Sequence, residues 1–307
     1  MSSGKTICGL GELLWDLLPS NERLGGAPAN FAVMAARLGN RGVIASRVGA
    51  DERGTRALAT LKRFPVDLSF VQTDAQQPTG TVNVEVLKGE PNYIIHEPAA
   101  WDFLEWTPEW RRLAAEVDAV CFGSLAQREP ASRETIRRFL STTQPGCLRV
   151  FDVNLRMPHF TARMIAETLP LTNVFKLNES EVPIVLEVLG GPAMAGTEQT
   201  EAALRSAARW LMERYPLILV AITMGGRGSL LVTRESHDRH MGVTTNVADT
   251  VGAGDAFTAA LVDAYLRGAS LYKMNDAGNR WGSWVASRPG AMPDLDEAAS
   301  AYIATLT

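Results

Sequence analysis

Asp255 closes the run Asp249-Thr250-Val251-Gly252-Ala253-Gly254-Asp255, and the apolar spacing that follows (Phe257, Leu261, Val262, Tyr265, Leu266) marks a helix beginning there. Free amides and the dipole at a helix start attract anions, and the small residues Gly252, Ala253 and Gly254 permit a tight backbone. A carboxylate in a first helical turn most often favours the dipole or caps the helix. Beside a phosphate cradle, the same carboxylate is placed to accept the proton of a hydroxyl attacking that phosphate. The chemistry allowed is phosphoryl transfer with Asp255 as base, the phosphoryl group being held by backbone donors instead of a lysine.

A second constellation lies near the start of the chain. Gly11-Glu12-Leu13-Leu14-Trp15-Asp16 places Asp16 after an expected strand, where ligands of open α/β sheets bind, although Asp16 alone also reads as surface charge. Gly25-Gly26-Ala27-Pro28-Ala29-Asn30-Phe31-Ala32 leads into a helix; taken alone it is a turn with Pro near a helix start. A carboxylate can accept from two hydroxyls and an Asn both donates and accepts, so Asp16 with Asn30 suits a polyol better than a flat apolar ligand. The sequence has no Gly-x-x-x-x-Gly-Lys-Ser/Thr loop, no His-Arg-Asp or Asp-Phe-Gly set, and no early Gly-x-Gly-x-x-Gly of a dinucleotide enzyme.

These residues need rigid elements to position them. Short apolar runs at Thr6–Gly11, Gly42–Val48, Asp118–Phe122, Leu148–Val153, Val174–Leu177 and Leu217–Thr223 alternate with helical patterns, the appearance of a mainly parallel sheet between helix layers. Helices are expected from near Ala29, stopped by Gly39-Asn40, and over Ala253–Arg267. Two stretches break the rhythm, 12–24 and 79–102. In the second, Thr81, Asn83, Glu85 and Leu87 alternate with Val82, Val84 and Val86, and the turn Lys88-Gly89-Glu90-Pro91-Asn92 leads into Tyr93-Ile94-Ile95-His96. A projecting β-hairpin is expected there, either a lid or an edge with no moving part. Leu189 to Gly196 reads as an exposed loop.

The bulk composition of the 307 residues is that of a soluble globular protein, 46% apolar and 21% charged, with a formal net charge of -4 and scattered basic residues. Nothing there attracts nucleic acid or an anionic membrane, so small-molecule partners are expected. Cys8, Cys121 and Cys147 are odd in number and lack metal-ligand or CxxC spacing, which suits a reducing compartment. With no signal-peptide pattern and no apolar run of ~18 residues, the cytoplasm is the expected location.

Asp249 to Phe257 resembles the C-terminal signature of the ribokinase-like (pfkB) carbohydrate kinases, and Gly25 to Ala32 resembles their N-terminal signature. Weaker matches follow in family order at Asp152-Val153-Asn154-Leu155-Arg156, Lys176-Leu177-Asn178-Glu179-Ser180-Glu181 and Thr223-Met224-Gly225-Gly226-Arg227-Gly228. The resemblance implies one domain over 1–307, a three-layer α/β/α sandwich with a mainly parallel central sheet, and a small β-sheet lid from approximately 12–27 and 79–102. It implies that Asp255 is the catalytic base, with Gly252, Ala253 and Gly254 at the transferring phosphate. Asp16, Gly25, Gly26 and Asn30 would face the sugar, and Arg156 would contact phosphate or sugar or make a salt bridge.

Asn178 and Glu181 would place Mg²⁺ and the ATP phosphates, although Asn178 alone reads equally as a helix cap. Thr223, Gly225 and Gly228 would form a nucleotide-binding turn. Asn279 falls where the family contacts the nucleotide, and by itself reads as a surface residue of a helix. Asp249, Val251, Arg288 and Gly290 would enclose a monovalent cation, K⁺ by expectation. The motif wording is closest to bacterial fructokinases, so the expected acceptor is fructose, with 2-keto-3-deoxygluconate or ribose as alternatives. A homodimer through the lid is permitted. From another class, a non-catalytic sugar or nucleotide sensor would not need Asp255.

Overall fold

A computed structural model describes residues 4–19, 21–87, 90–194 and 199–306. Its strands, in chain order, are β1 (Thr6–Leu10), β2 (Leu14–Leu17), β3 (Glu22–Gly25), β4 (Arg41–Gly49), β5 (Val66–Asp67), β6 (Val71–Asp74) and β7 (Gly80–Leu87). They continue as β8 (Glu90–Ile95), β9 (Ala119–Phe122), β10 (Leu148–Asp152), β11 (Val174–Asn178), β12 (Leu219–Thr223), β13 (Ser229–Val232) and β14 (His237–His240).

The apolar runs form one sheet in the order β14-β13-β12-β11-β10-β9-β1-β4-β5, with β6 also paired to β4. Pairing is parallel from β12 to β5 and antiparallel for β13 and β14. Strands covered on both faces need apolar side chains on both, which explains runs such as Ala119-Val120-Cys121-Phe122, all buried. On one face Phe122, Phe151 and Phe175 stack across β9, β10 and β11 at 5.3 and 5.4 Å between ring centres. Their register partners are direct, Phe122 with Phe151 and Phe151 with Phe175. Helices Pro108–Glu116, Pro130–Thr142 and Glu201–Arg214 contribute to that core through Leu113, Phe139 and Leu204. The other face is packed by helices Ala27–Arg37, Ala253–Leu266 and Leu271–Ala286, through Phe31, Leu261 and Trp281. The three-layer α/β/α expectation is met.

Strand β1 has β4 on one side and β9 on the other, so the strand order reverses there and a crevice opens off the strand ends. The chain leaving β1 crosses into a second sheet, ordered β3-β2-β7-β8. The expected hairpin is real, with Val82 opposite Ile95 and Leu87 opposite Glu90, but it does not stand alone. β2 pairs with β7 in parallel, Leu14 with Gly80 and Asp16 with Val82, joining the two stretches that break the α/β rhythm into one small sheet. Lys88 and Gly89 of the expected turn, and the end of the expected loop at 195–196, lie outside the described residues. Among the described residues no helix is long and apolar enough to cross a membrane.

Candidate active site

A cleft of about 650 Å³ runs between the small sheet and the carboxyl ends of the main strands, and its lining includes Asp16, Asn30, Arg156, Asn178, Thr223 and Asp255. Residues separated by most of the chain therefore share one cavity. Its middle is the start of helix Ala253–Leu266. Gly252 caps that helix in the left-handed region at φ +78°, and a Cβ on it would lie 2.5 Å from the Ala291 Cβ and 2.6 Å from its Cα. Gly252→Ala is expected to cost about 1–3 kcal/mol through strain and this contact, seen as a lower urea midpoint. An unchanged midpoint would show that the loop carrying Ala291 yields freely.

Asp255, in the first turn, accepts a hydrogen bond from Asn30 Nδ2 at 2.8 Å. Burial pushes its carboxyl up to about 6; Asp152 adds to that, while Asn30, Lys176 and Arg156 oppose it. Below it lies a polar floor absent from the sequence-based site. Lys176 Nζ, buried on β11, is 3.0 Å from Asp152 Oδ1 and 3.1 Å from where a Gly254 Cβ would stand. Thr258 ties Asp152 to the helix start, 3.3 Å from its Oδ2 and 2.9 Å from the Gly254 carbonyl. Burial works against the ammonium, but Asp152, Glu181 and Asp255 outweigh it and hold the Lys176 pKa above its usual range. A lysine thus stands beside the glycine turn after all, and it lines the cleft. Its sequence signal is a lysine inside the apolar strand Val174-Phe175-Lys176-Leu177, where an unpaired charge would be intolerable.

At the small-sheet end, Asp16 on β2 lines the cleft, and burial pushes its carboxyl up to about 6 against Arg156 and Arg23. Gly25 lies behind it; a Cβ there would meet Asp16 Oδ2 at 2.8 Å. Gly26, at φ +112°, has the Glu12 carbonyl 2.4 Å from its would-be Cβ. Glu12 is itself 3% exposed and lines the cleft, a residue that sequence reasoning passed over within its own motif. Its position directly after β1 was the available signal.

At the other end, Asn178 and Glu181 form a reciprocal box. Asn178 Oδ1 accepts from the Glu181 amide at 3.0 Å and Glu181 Oε2 from the Asn178 amide at 2.7 Å, while Glu181 Oε1 accepts from the Leu155 amide at 2.8 Å. Both Glu181 oxygens are thus engaged by backbone. Thr223, Gly225 and Gly228 line the far wall at the end of β12, where Arg227 pairs with Glu179. Asn279 is buried, not on the surface: it donates to Ser229 Oγ at 2.7 Å and the Asn275 carbonyl at 2.8 Å, because its helix packs on β13 and β14.

Of the four residues expected around a cation, Asp249, Val251 and Gly290 come together, and only the Arg288 side chain turns elsewhere. Asp249 accepts from Arg23 at 2.6 Å and from the Gly290 and Val251 amides at 3.1 Å each, so an arginine already supplies its countercharge. The Arg288 guanidinium turns to Asp296 and the Trp284 carbonyl. Among the described residues no cluster of three or more His, Cys, Asp or Glu side chains could hold a metal ion.

The arrangement joins a half-buried carboxylate, a helix start and a cationic floor between two polar ends. A family model described as pfkB family carbohydrate kinase matches residues 20–298. A fructokinase of Escherichia coli is 30% identical over 306 residues, covering 93% of this chain and 94% of that one. An uncharacterized sugar kinase of Pyrococcus horikoshii, solved in complex with ATP, superposes at a TM-score of 0.75 with 28% identity, over 94% of this chain and 93% of that one. A fructokinase of Vibrio cholerae solved with fructose, ADP and calcium ion shares the fold at a TM-score of 0.80 and 24% identity, over 99% and 100% of the two chains. With a family match across most of its length, a nucleotide-bound structural relative and a carboxylate at the helix start, the chain belongs to the pfkB family of carbohydrate kinases.

Proposed function

We propose that the protein transfers the γ-phosphate of ATP to the primary hydroxyl of D-fructose, giving fructose 6-phosphate. The observation that carries this reading is Asp255, half-buried at the helix start between the Asp16–Asn30 end and the Thr223–Gly228 end of one cleft. Asp255 takes the hydroxyl proton, the sugar oxygen bonds to the γ-phosphorus, and the bond from that phosphorus to the bridging oxygen breaks as ADP leaves. The first amides of the helix have no intrahelical acceptor and would stabilise the transferring charge, with the Lys176 ammonium below them. Mg²⁺ arriving with the nucleotide would supply neutralisation of charge on its phosphates. Asn178 and Glu181 would act toward it by holding the loop between them, and each Glu181 oxygen keeps a second lone pair able to accept from a water of the ion's hydration shell. The small sheet, which carries Asp16, would close as a lid over the sugar.

A second reading, a kinase of a sugar acid such as 2-keto-3-deoxygluconate, is favoured by Arg156, which lines the cleft and acts on Asp16 and Asp255. Against it, Glu12, Asp16 and Asp255 crowd three carboxyl groups into the same region, which fits a neutral polyol better than an acid. ADP release over a panel of fructose, ribose and 2-keto-3-deoxygluconate decides. Turnover on fructose is expected. Its absence, with clear turnover on another sugar, would refute the choice of acceptor; binding of sugar and ATP without any turnover would make the protein a sensor.

A further inference from the structure

We propose that Glu12 is a further substrate-binding residue, its carboxyl making a hydrogen bond to a hydroxyl of the bound sugar and helping to decide which sugars fit. The inference deepens the sugar-kinase reading and rests on it. Glu12 comes two residues after the end of β1, at the point where the strand order reverses and the crevice opens. It is 3% exposed, and its Oε2 has no hydrogen-bond partner although the residue lines the cleft. Asn30, 4% exposed, repeats the pattern: its amide nitrogen is spent on Asp255, and its Oδ1 has no partner. Two buried oxygens on the cleft wall are therefore unsatisfied, one of them on the residue that holds the base. Native proteins seldom leave such atoms orphaned, and a polyol, with a hydroxyl on almost every carbon, is the ligand able to satisfy both.

The charges around Glu12 define what it offers. Those acting on it are Asp255 from the helix start, Arg156 after β10 and Arg128, and the buried Cys121 thiol of β9 lies within reach of both carboxyls. Burial, with Asp255 adding to it and the Glu12 backbone amide and the two arginines opposing, pushes the Glu12 carboxyl up to about 7. Between about pH 6 and 7, where Asp255 is mostly ionised, Glu12 is mostly protonated and can donate. Asp16, further along the same wall, is the acceptor. A purely architectural Glu12, needed only to close the turn against Gly26, would affect folding and leave sugar recognition alone.

The test compares Glu12→Leu with Glu12→Gln in the full-length protein, measuring sugar and ATP affinity by calorimetry, thermal melting, and the sugar KM from pH 5.5 to 8.5. Glu12→Leu is expected to weaken sugar binding ~10-fold or more, as for a lost hydrogen bond to a buried group, with ATP binding unchanged. Glu12→Gln, neutral and still a donor, is expected to keep affinity within a few-fold. The wild-type KM should rise above about pH 7 as Glu12 ionises, and Glu12→Gln should remove that rise. Sugar binding by Glu12→Leu equal to wild type overturns the inference. If Glu12→Leu fails to fold, an alkaline rise that persists in Glu12→Gln overturns it instead. Wild-type protein that binds ATP but none of the panel sugars refutes the kinase reading and the inference together, whereas tight binding by all three proteins refutes the inference alone.

Discussion

Asp255→Asn folds, binds ATP and turns over ~10²- to 10⁴-fold more slowly than wild type, the range typical for loss of a general base. The substitution keeps the shape of the side chain and an oxygen able to accept the Asn30 hydrogen bond, so the lost property is the capacity to take a proton. The pH profile supplies an independent check. Only the ionised carboxylate can act as base, and burial has pushed that group up to about 6. Wild-type kcat at saturating sugar should therefore be level above about pH 6 and fall tenfold per pH unit below it. The residual activity of Asp255→Asn should lack that limb. Near-normal turnover by the variant would remove the base, and a wild-type limb near pH 4 would remove the argument from burial.

The second large effect is on stability. Lys176→Met strands the Asp152 carboxylate in the floor of the cleft, where both partners of the pair are more than nine-tenths buried. Removing one partner of a buried ion pair typically costs about 3–5 kcal/mol, because the charge left behind was desolvated on folding and has lost its compensation. Adding Asp152→Asn should recover most of that loss, since the stranded charge is gone while Thr258 keeps a hydrogen-bonding neighbour. Urea unfolding of the single and double variants measures both. A single variant within about 1 kcal/mol of wild type would mean that water reaches Asp152 freely, and the floor would not be the dry site described.

The fold was legible because its strands are buried on both faces. Runs such as Ala119-Val120-Cys121-Phe122 have only one comfortable environment, and the expected strand limits agree with the structure within about two residues. The helix from Ala253 was equally plain from its glycine start and apolar spacing. What the chain could not disclose locally was who faces whom. Alternation over 79–87 announced a hairpin, but its parallel partner β2 lies more than sixty residues earlier and has no local mark of that pairing. Asn30 with Asp255 and Arg23 with Asp249 are pairs separated by 225 and 226 positions, set by strand order and by the crossing of β3 over the glycine turn. Asn279 by itself read as a surface residue of a helix; packing against β13 and β14 buries it. Lys176 and Glu12 were visible as charges in apolar company, which says that a partner exists without saying which.

The three native thiols bear on how this enzyme can be watched. Cys8, Cys121 and Cys147 are all buried and unpaired, and burial holds each thiol above its usual range, Cys147 at about 11. Thiol reagents attack the thiolate of an accessible cysteine, so the surface of the native chain is silent toward them. Ile94, 43% exposed on β8 at the rim of the small sheet, offers a place for one introduced cysteine. A fluorophore placed there by Ile94→Cys would be the chain's single label, needing no background of cysteine replacements. Its signal would show in real time whether the sheet that carries Asp16 moves as sugar and nucleotide arrive.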